Sequence, residues 1–304
     1  LRSLLRKVND KTINEHLIMP EPEQFLTDAT NGQALDYRVR HEQLVKAFPP
    51  RGSASSSSVV NALAFMLPLA ASAVYFVYGE PLRALIGLGV FTLLGNLLPS
   101  LRPALGFSRV VLLFGLLTYL INKFGIGYPY TNIFVLTGLL GVFALTGMEW
   151  KGLFFNAGET ARYTRTAMLL GLGVAALILA VFFAQPDLLG ANPTPKEWPA
   201  DVIIVMALGY AIFSALMEET IFRSVMLAFA RQHMSMNAAV LAQAAVFAAM
   251  HYRMGFPTQA TGAGLAFVWG LGAGWLVRKT DSVYPAYAMH FVLVLILFLV
   301  MAFA

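Results

Sequence analysis

Met217-Glu218-Glu219-Thr220-Ile221-Phe222-Arg223 places two carboxylates and a guanidinium inside a run that is otherwise apolar from Val202 to Ala230. Ionised side chains in hydrocarbon are costly, and where they occur they are usually functional. On a helix, Glu219 and Arg223 are four residues apart and share a face. Their pairing lowers the cost of burying both. Glu218 points about 100° away from Glu219 and is left without that partner. A carboxylate in a low-dielectric site is poised for proton transfer. The reading of this stretch therefore turns on what Glu218 faces.

The composition around it is that of a bilayer protein. The chain has 304 residues, of which 58% are hydrophobic and 12% charged, with a mean hydropathy of +0.67. Soluble domains carry roughly 25% charged residues. The formal net charge of +5 fits basic loops against anionic lipid, and nucleic acid is not an expected partner. Cysteine is absent, which excludes disulfides, thiol catalysis and thiolate-ligated metals.

Residues 1–58 differ from the rest. Charges of both signs run through them, Pro20, Pro22, Pro49 and Pro50 interrupt any long helix, and Ser53–Ser58 reads as a spacer. They are expected to form an aqueous tail with a linker. The first long apolar run begins near residue 59, so no signal peptide is expected within the chain. From Val59 onward apolar runs recur, each needing ~20 residues to span a bilayer. They fall at 59–79, 84–99, 105–122, 131–148, 166–185, 202–230, 236–252, 260–278 and 283–303. The expectation is an all-α polytopic membrane protein with about eight or nine transmembrane helices. Glu149–Arg165, with Trp150, Phe154 and Phe155, reads as an interfacial helix. Lys and Arg in the loops favour a cytoplasmic N-terminus.

The polar chemistry lies almost entirely in the last four runs. This divides the chain into the tail (1–58), an accessory transmembrane region (59–199) and a four-helix catalytic core (200–304). Within the core, His251 closes the seventh run on the same helix face as Phe247, and His290 lies early in the ninth. Two intramembrane histidines beside a Glu pair and an Arg are the donor set for an activated water. Glu218 takes a proton, while an imidazole orients the water or faces a developing oxyanion. Glu218, His251 and His290 are equally the donors of an open zinc site, and both arrangements stand. His233, beside Arg231 and Gln232, reads as a solvated interfacial residue. Gly270 and Gly274 form a small-xxx-small pair that lets helices approach closely. HExxH, GxGD and Gly-x-Ser-x-Gly signatures are missing.

Glu218-Glu219-x-x-x-Arg223, then Phe247-x-x-x-His251, then a Gly-rich helix, Thr280-Asp281-Ser282 and His290, together resemble the CPBP family. These are the CAAX-protease and bacteriocin-processing, or Abi, intramembrane endopeptidases. The likeness covers roughly residues 200–295. It implies a helical core with a cavity inside the membrane. It implies that Glu218 activates water with help from His251, that His290 stabilises the oxyanion or joins a metal site, and that Glu219, Arg223 and Phe247 support them. It implies a peptide or protein substrate, lipidated in some members, and a bilayer setting; the expected location is a bacterial cell (inner) membrane. Family members usually carry Asn four residues after the last histidine. Here that residue is Val294, and Gln243 and Tyr210 are substitutes by chemistry alone. Two other readings use the same residues: a non-catalytic scaffold or immunity protein of this fold that binds peptides uncut, and a proton-coupled transporter. The lack of an inverted repeat weighs against the transporter.

Overall fold

The structure, a computed structural model, describes residues 58–126, 130–146, 153–155, 160–190, 198–231 and 234–304. The expected tail (all but Ser58), Trp150, Gln232 and His233 lie outside them. Among the described residues nine long helical stretches follow one another: α1 (Ser58–Phe76), α2 (Pro81–Leu97), α3 (Arg102–Phe124), α4 (Tyr130–Thr146), α5 (Thr160–Ala184), α6 (Ala200–Arg231), α7 (Met236–His251), α8 (Gln259–Thr280) and α9 (Tyr284–Phe303). No strand occurs among the described residues. Each stretch coincides with one of the nine apolar runs. Five of them, on α3, α5, α6, α8 and α9, are long and apolar enough to cross a bilayer, whereas α2 and α7 are shorter apolar helices. The chain is thus an all-α polytopic membrane protein.

The helix ends follow local chemistry. Ser235 precedes α7, and its hydroxyl accepts from the Ala238 N–H, as a helix N-cap does. Asp281 ends α8 in the left-handed region at φ 51°. The Thr280 hydroxyl bonds Leu276 and Ser282 carbonyls across this turn. Pro285 sits in the first turn of α9, where its missing N–H is harmless. Arg109, an apparent misfit inside an apolar run, is exposed and donates to Asn96 on α2 at 2.8 Å.

Helices α1, α2 and α3 pack together, α7 lies against α8 and α1, and α9 runs between α5 and α6. An aromatic series links these layers: Phe76 to Phe114 at 5.9 Å, Phe114 to Phe222 at 5.7 Å, and Phe222 to Phe247 at 4.9 Å between ring centroids. The small-xxx-small pair does what its spacing predicts. A Cβ on Gly270 would lie 2.9 Å from Ala244 Cβ and 3.0 Å from its Cα, and one on Gly274 would lie 2.8 Å from Val240. Gln243 ties the same seam, donating to the Gly270 carbonyl at 2.7 Å and to Val240 at 3.0 Å.

One expectation is corrected. Leu153 and Phe154, read as part of an interfacial helix, are buried to 0% and 1% exposure. The Ser224 hydroxyl donates to the Leu153 carbonyl, and the Val283 N–H donates to the Phe154 carbonyl at 3.0 Å. Arg231 stacks on the Phe154 ring at 4.2 Å and pairs with Asp281 at 3.8 Å. These bonds draw the connection inward as a wedge between α6 and the start of α9, because its carbonyls find partners there and not at the interface.

Helix α5 crosses α9 beside the histidine at position 290. A Cβ on Gly171 would come 2.4 Å from the Met289 carbonyl oxygen, whereas one on Gly173 meets nothing within 4 Å. Gly171→Ala is therefore expected to cost about 1–3 kcal/mol through overpacking against backbone. Gly173→Ala should be neutral or gain about 0.5–1 kcal/mol of helix propensity. Thermal unfolding of the two variants in detergent checks this, and equal melting temperatures would contradict the close α5–α9 crossing.

Candidate functional site

Helix α6 changes winding at the double glutamate. Ala200–Glu218 is α-helical, and Glu219–Met226 winds as π-helix, with all eight of its residues buried. Wider turns of this kind recur at functional sites. The change falls between the two carboxylates and sends them to different partners. Glu219 accepts from His290 Nδ1 at 2.8 Å through Oε1. The same oxygen lies 3.3 Å from Arg223 Nη1. Glu218 Oε1 is 3.4 Å from the Ser214 hydroxyl, one turn earlier, and Glu218 Oε2 is 3.7 Å from His290 Nε2. His290 thus stands between the two carboxylates, one on each ring nitrogen.

Arg223 has no exposed surface. Its guanidinium lies over the Phe247 ring at 4.1 Å, a contact that replaces part of its lost hydration. Phe247 in turn packs on His251, with centroids 4.4 Å apart. The His251 Nδ1 is 3.1 Å from the Phe247 carbonyl. A carbonyl only accepts, so Nδ1 carries the proton and a neutral His251 keeps a lone pair on Nε2. Gly255, at φ +83°, sits beside that nitrogen, where a Cβ would come within 3.1 Å. Only a residue without a side chain leaves His251 Nε2 open on this side.

All six residues singled out on the sequence are buried. Glu218, Glu219, Arg223, Phe247 and His290 form one linked group, and His251 joins it through Phe247. Ser214 was missed, although its place four residues before Glu218 on one helix face is a readable signal. Trp269 was also missed. Its ring lies 5.7 Å from the His290 ring at 67°, and nothing in its spacing announced that. Gln243 is not the substitute donor its chemistry suggested, since both of its N–H groups are spent on Val240 and Gly270. Tyr210 is hydrogen-bonded to Ser214. Val294 is half-buried and follows His290 by one helical turn.

The zinc alternative is not supported. Among the described residues no group of three His, Asp or Glu side chains is arranged to hold a metal ion. The buried polar atoms without a hydrogen bond include Glu218 Oε2, Glu219 Oε2 and the Arg223 nitrogens. A charged guanidinium among them is a poor neighbour for a cation.

The buried pair sets a stability prediction. Removing one member of a buried ion pair strands the other and typically costs about 3–5 kcal/mol. Arg223→Ala and Glu219→Ala are each expected to fall in that range, and the double variant should cost less than their sum. Denaturation of the three variants in one detergent measures the coupling, and strict additivity would mean the pair is not coupled.

The family described as type II CAAX prenyl endopeptidase, Rce1-like, matches residues 200–296. Neither curated proteins nor solved structures gave a match to the chain. The matched stretch opens with α6 and closes within α9, so it holds every residue of the linked group. Over residues 200–296 this membrane protein is therefore similar to the CAAX prenyl endopeptidase family.

Proposed function

We propose that this chain is an intramembrane endopeptidase that hydrolyses a peptide bond in a membrane-associated peptide or protein tail with a water activated by glutamate and histidine. The observation that carries the reading is the Glu219–His290–Glu218 series, with contacts of 2.8 and 3.7 Å between buried groups on two helices. A structural ion pair needs only Arg223 and Glu219. The second carboxylate, whose hydrogen bond is a 3.4 Å contact to Ser214 and whose other oxygen faces His290 at 3.7 Å, is not needed for that pair, and its burial is costly.

In the proposed reaction, Glu218 accepts a proton from water as the water oxygen attacks the scissile carbonyl carbon. His251 Nε2, unprotonated because Nδ1 bonds Phe247, accepts the water's other hydrogen and orients it. The carbonyl oxygen becomes an oxyanion. When His290 holds a second proton, its Nε2–H faces that charge, and Glu219 on Nδ1 balances the imidazolium. Collapse breaks the C–N bond, and Glu218 returns its proton to the leaving amine. Arg223 holds Glu219 in place, and Phe247 holds both Arg223 and His251. No step runs through a metal.

The setting follows from the same reading. Residues 59–199 act as an accessory transmembrane region and 200–304 as the catalytic core. The protein sits in a bacterial cell (inner) membrane with its N-terminus cytoplasmic, and its substrate is a peptide or protein tail, lipidated or not.

Glu218→Gln keeps the shape and removes the base. General base catalysis contributes typically 10²–10⁴-fold, so kcat for peptide hydrolysis by the purified protein should fall by about that factor at an unchanged melting temperature. Glu219→Gln should lower the melting temperature as well. Undiminished cleavage by Glu218→Gln would overturn the role of Glu218. A wild type that binds peptides and releases them uncut would move the protein to the non-catalytic reading.

A further inference from the structure

The oxyanion in the proposed reaction has one donor so far, His290 Nε2–H, and only while that ring is doubly protonated. Position 294, four residues on and on the same face of α9, is valine and donates nothing. Among the buried side-chain N–H groups of the described residues, one that is uncharged has no acceptor: the indole Nε1 of Trp269. An indole nitrogen is a donor only, and leaving it buried and unpaired carries a free-energy cost that phenylalanine at the same position would avoid. The ring is held on both sides, because Trp269 packs against both of the protein's apolar clusters. It stands edge-to-face with His290, centroids 5.7 Å apart. An unpaired donor fixed against the ring that faces the reacting carbonyl is a donor waiting for an acceptor that arrives with the substrate.

We infer that Trp269 is a catalytic residue whose Nε1–H donates a hydrogen bond to the oxygen of the scissile carbonyl and strengthens it as that oxygen becomes an oxyanion. The inference rests on the endopeptidase reading above. It assigns the second oxyanion donor to α8 instead of α9. Its N–H donates at any pH, unlike the imidazole, and no proton is transferred to or from it.

The test compares wild type, Trp269→Phe and Trp269→Phe with Val294→Asn in one detergent, on a peptide that the wild type cleaves. Loss of one oxyanion donor typically costs a factor of about 10²–10³ in kcat. Trp269→Phe should show that loss with KM and melting temperature nearly unchanged. The added Asn, whose amide lies one turn beyond His290, should recover at least about a tenth of the lost rate. Should Trp269→Phe fold poorly, β-(3-benzothienyl)alanine at position 269 keeps the bicyclic shape and exchanges N–H for sulfur, and the same loss is expected. A kcat within about twofold of wild type for either replacement overturns the assignment while leaving the endopeptidase reading in place. A wild type that cleaves no peptide overturns that reading, and this inference with it. A loss in kcat that matches a loss in melting temperature, and that Val294→Asn does not recover, makes Trp269 a packing residue and also overturns it.

Discussion

The site depends on a guanidinium buried without any exposed surface. Arg223 sits 3.3 Å from Glu219 and 4.1 Å above the Phe247 ring. A lone cation in a bilayer is prohibitively costly, so the carboxylate and the aromatic face are conditions for this helix to exist where it does. Once Glu219 is ionised beside Arg223, its oxygen is a strong acceptor, and His290 binds it at 2.8 Å. The ring is then fixed in one orientation, with Nε2 toward Glu218. One electrostatic constraint on α6 thus orients a residue on α9, seventy-one positions away.

The rest of the fold keeps that arrangement rigid and dry. Phe222 and Phe247 continue the aromatic series that reaches α3 and α1, so the accessory helices brace the floor of the site. The glycine seam brings α8 against α7 at backbone distance. Trp269 on α8 stands beside His290 on α9, and His251 meets Phe247 one turn earlier on α7. On the opposite flank, Leu153 and Phe154 wedge between α6 and α9, tied by Ser224 and Val283. Phe155 follows them into a cavity of about 150 Å³ that Glu219, Tyr284 and Tyr287 also line. The Thr280-Asp281-Ser282 turn, part of the family likeness, is a joint: it turns α8 into α9 and pairs Asp281 with Arg231.

Much of this was legible residue by residue. Hydropathy located nine helices because bilayer burial demands apolar runs whatever the tertiary packing. The i,i+4 rule paired Glu219 with Arg223 because that contact is local, and a stretch of π-helix did not break it. Glycine spacing found the α7–α8 seam because a missing Cβ has the same consequence in any packed helix pair. Within the stretch read as an interfacial helix, the burial of Leu153 and Phe154 was not legible, because they accept hydrogen bonds from Ser224 and Val283, partners far away in the chain. Gln243 was misjudged likewise, since its amide was free on paper and engaged with Gly270 in the fold.

The sequence by itself determined the solvent, the helices and the cost. It says that two carboxylates, a guanidinium and two imidazoles lie among apolar residues, and that such groups persist only where they are paired or used. The tertiary structure alone decided which groups meet. It gave Glu219 a second partner in His290, set the other nitrogen of that ring toward Glu218, and placed the Trp269 indole against His290. Local rules reach one helical turn, whereas contacts between helices depend on how whole faces pack, and no single residue's identity encodes that.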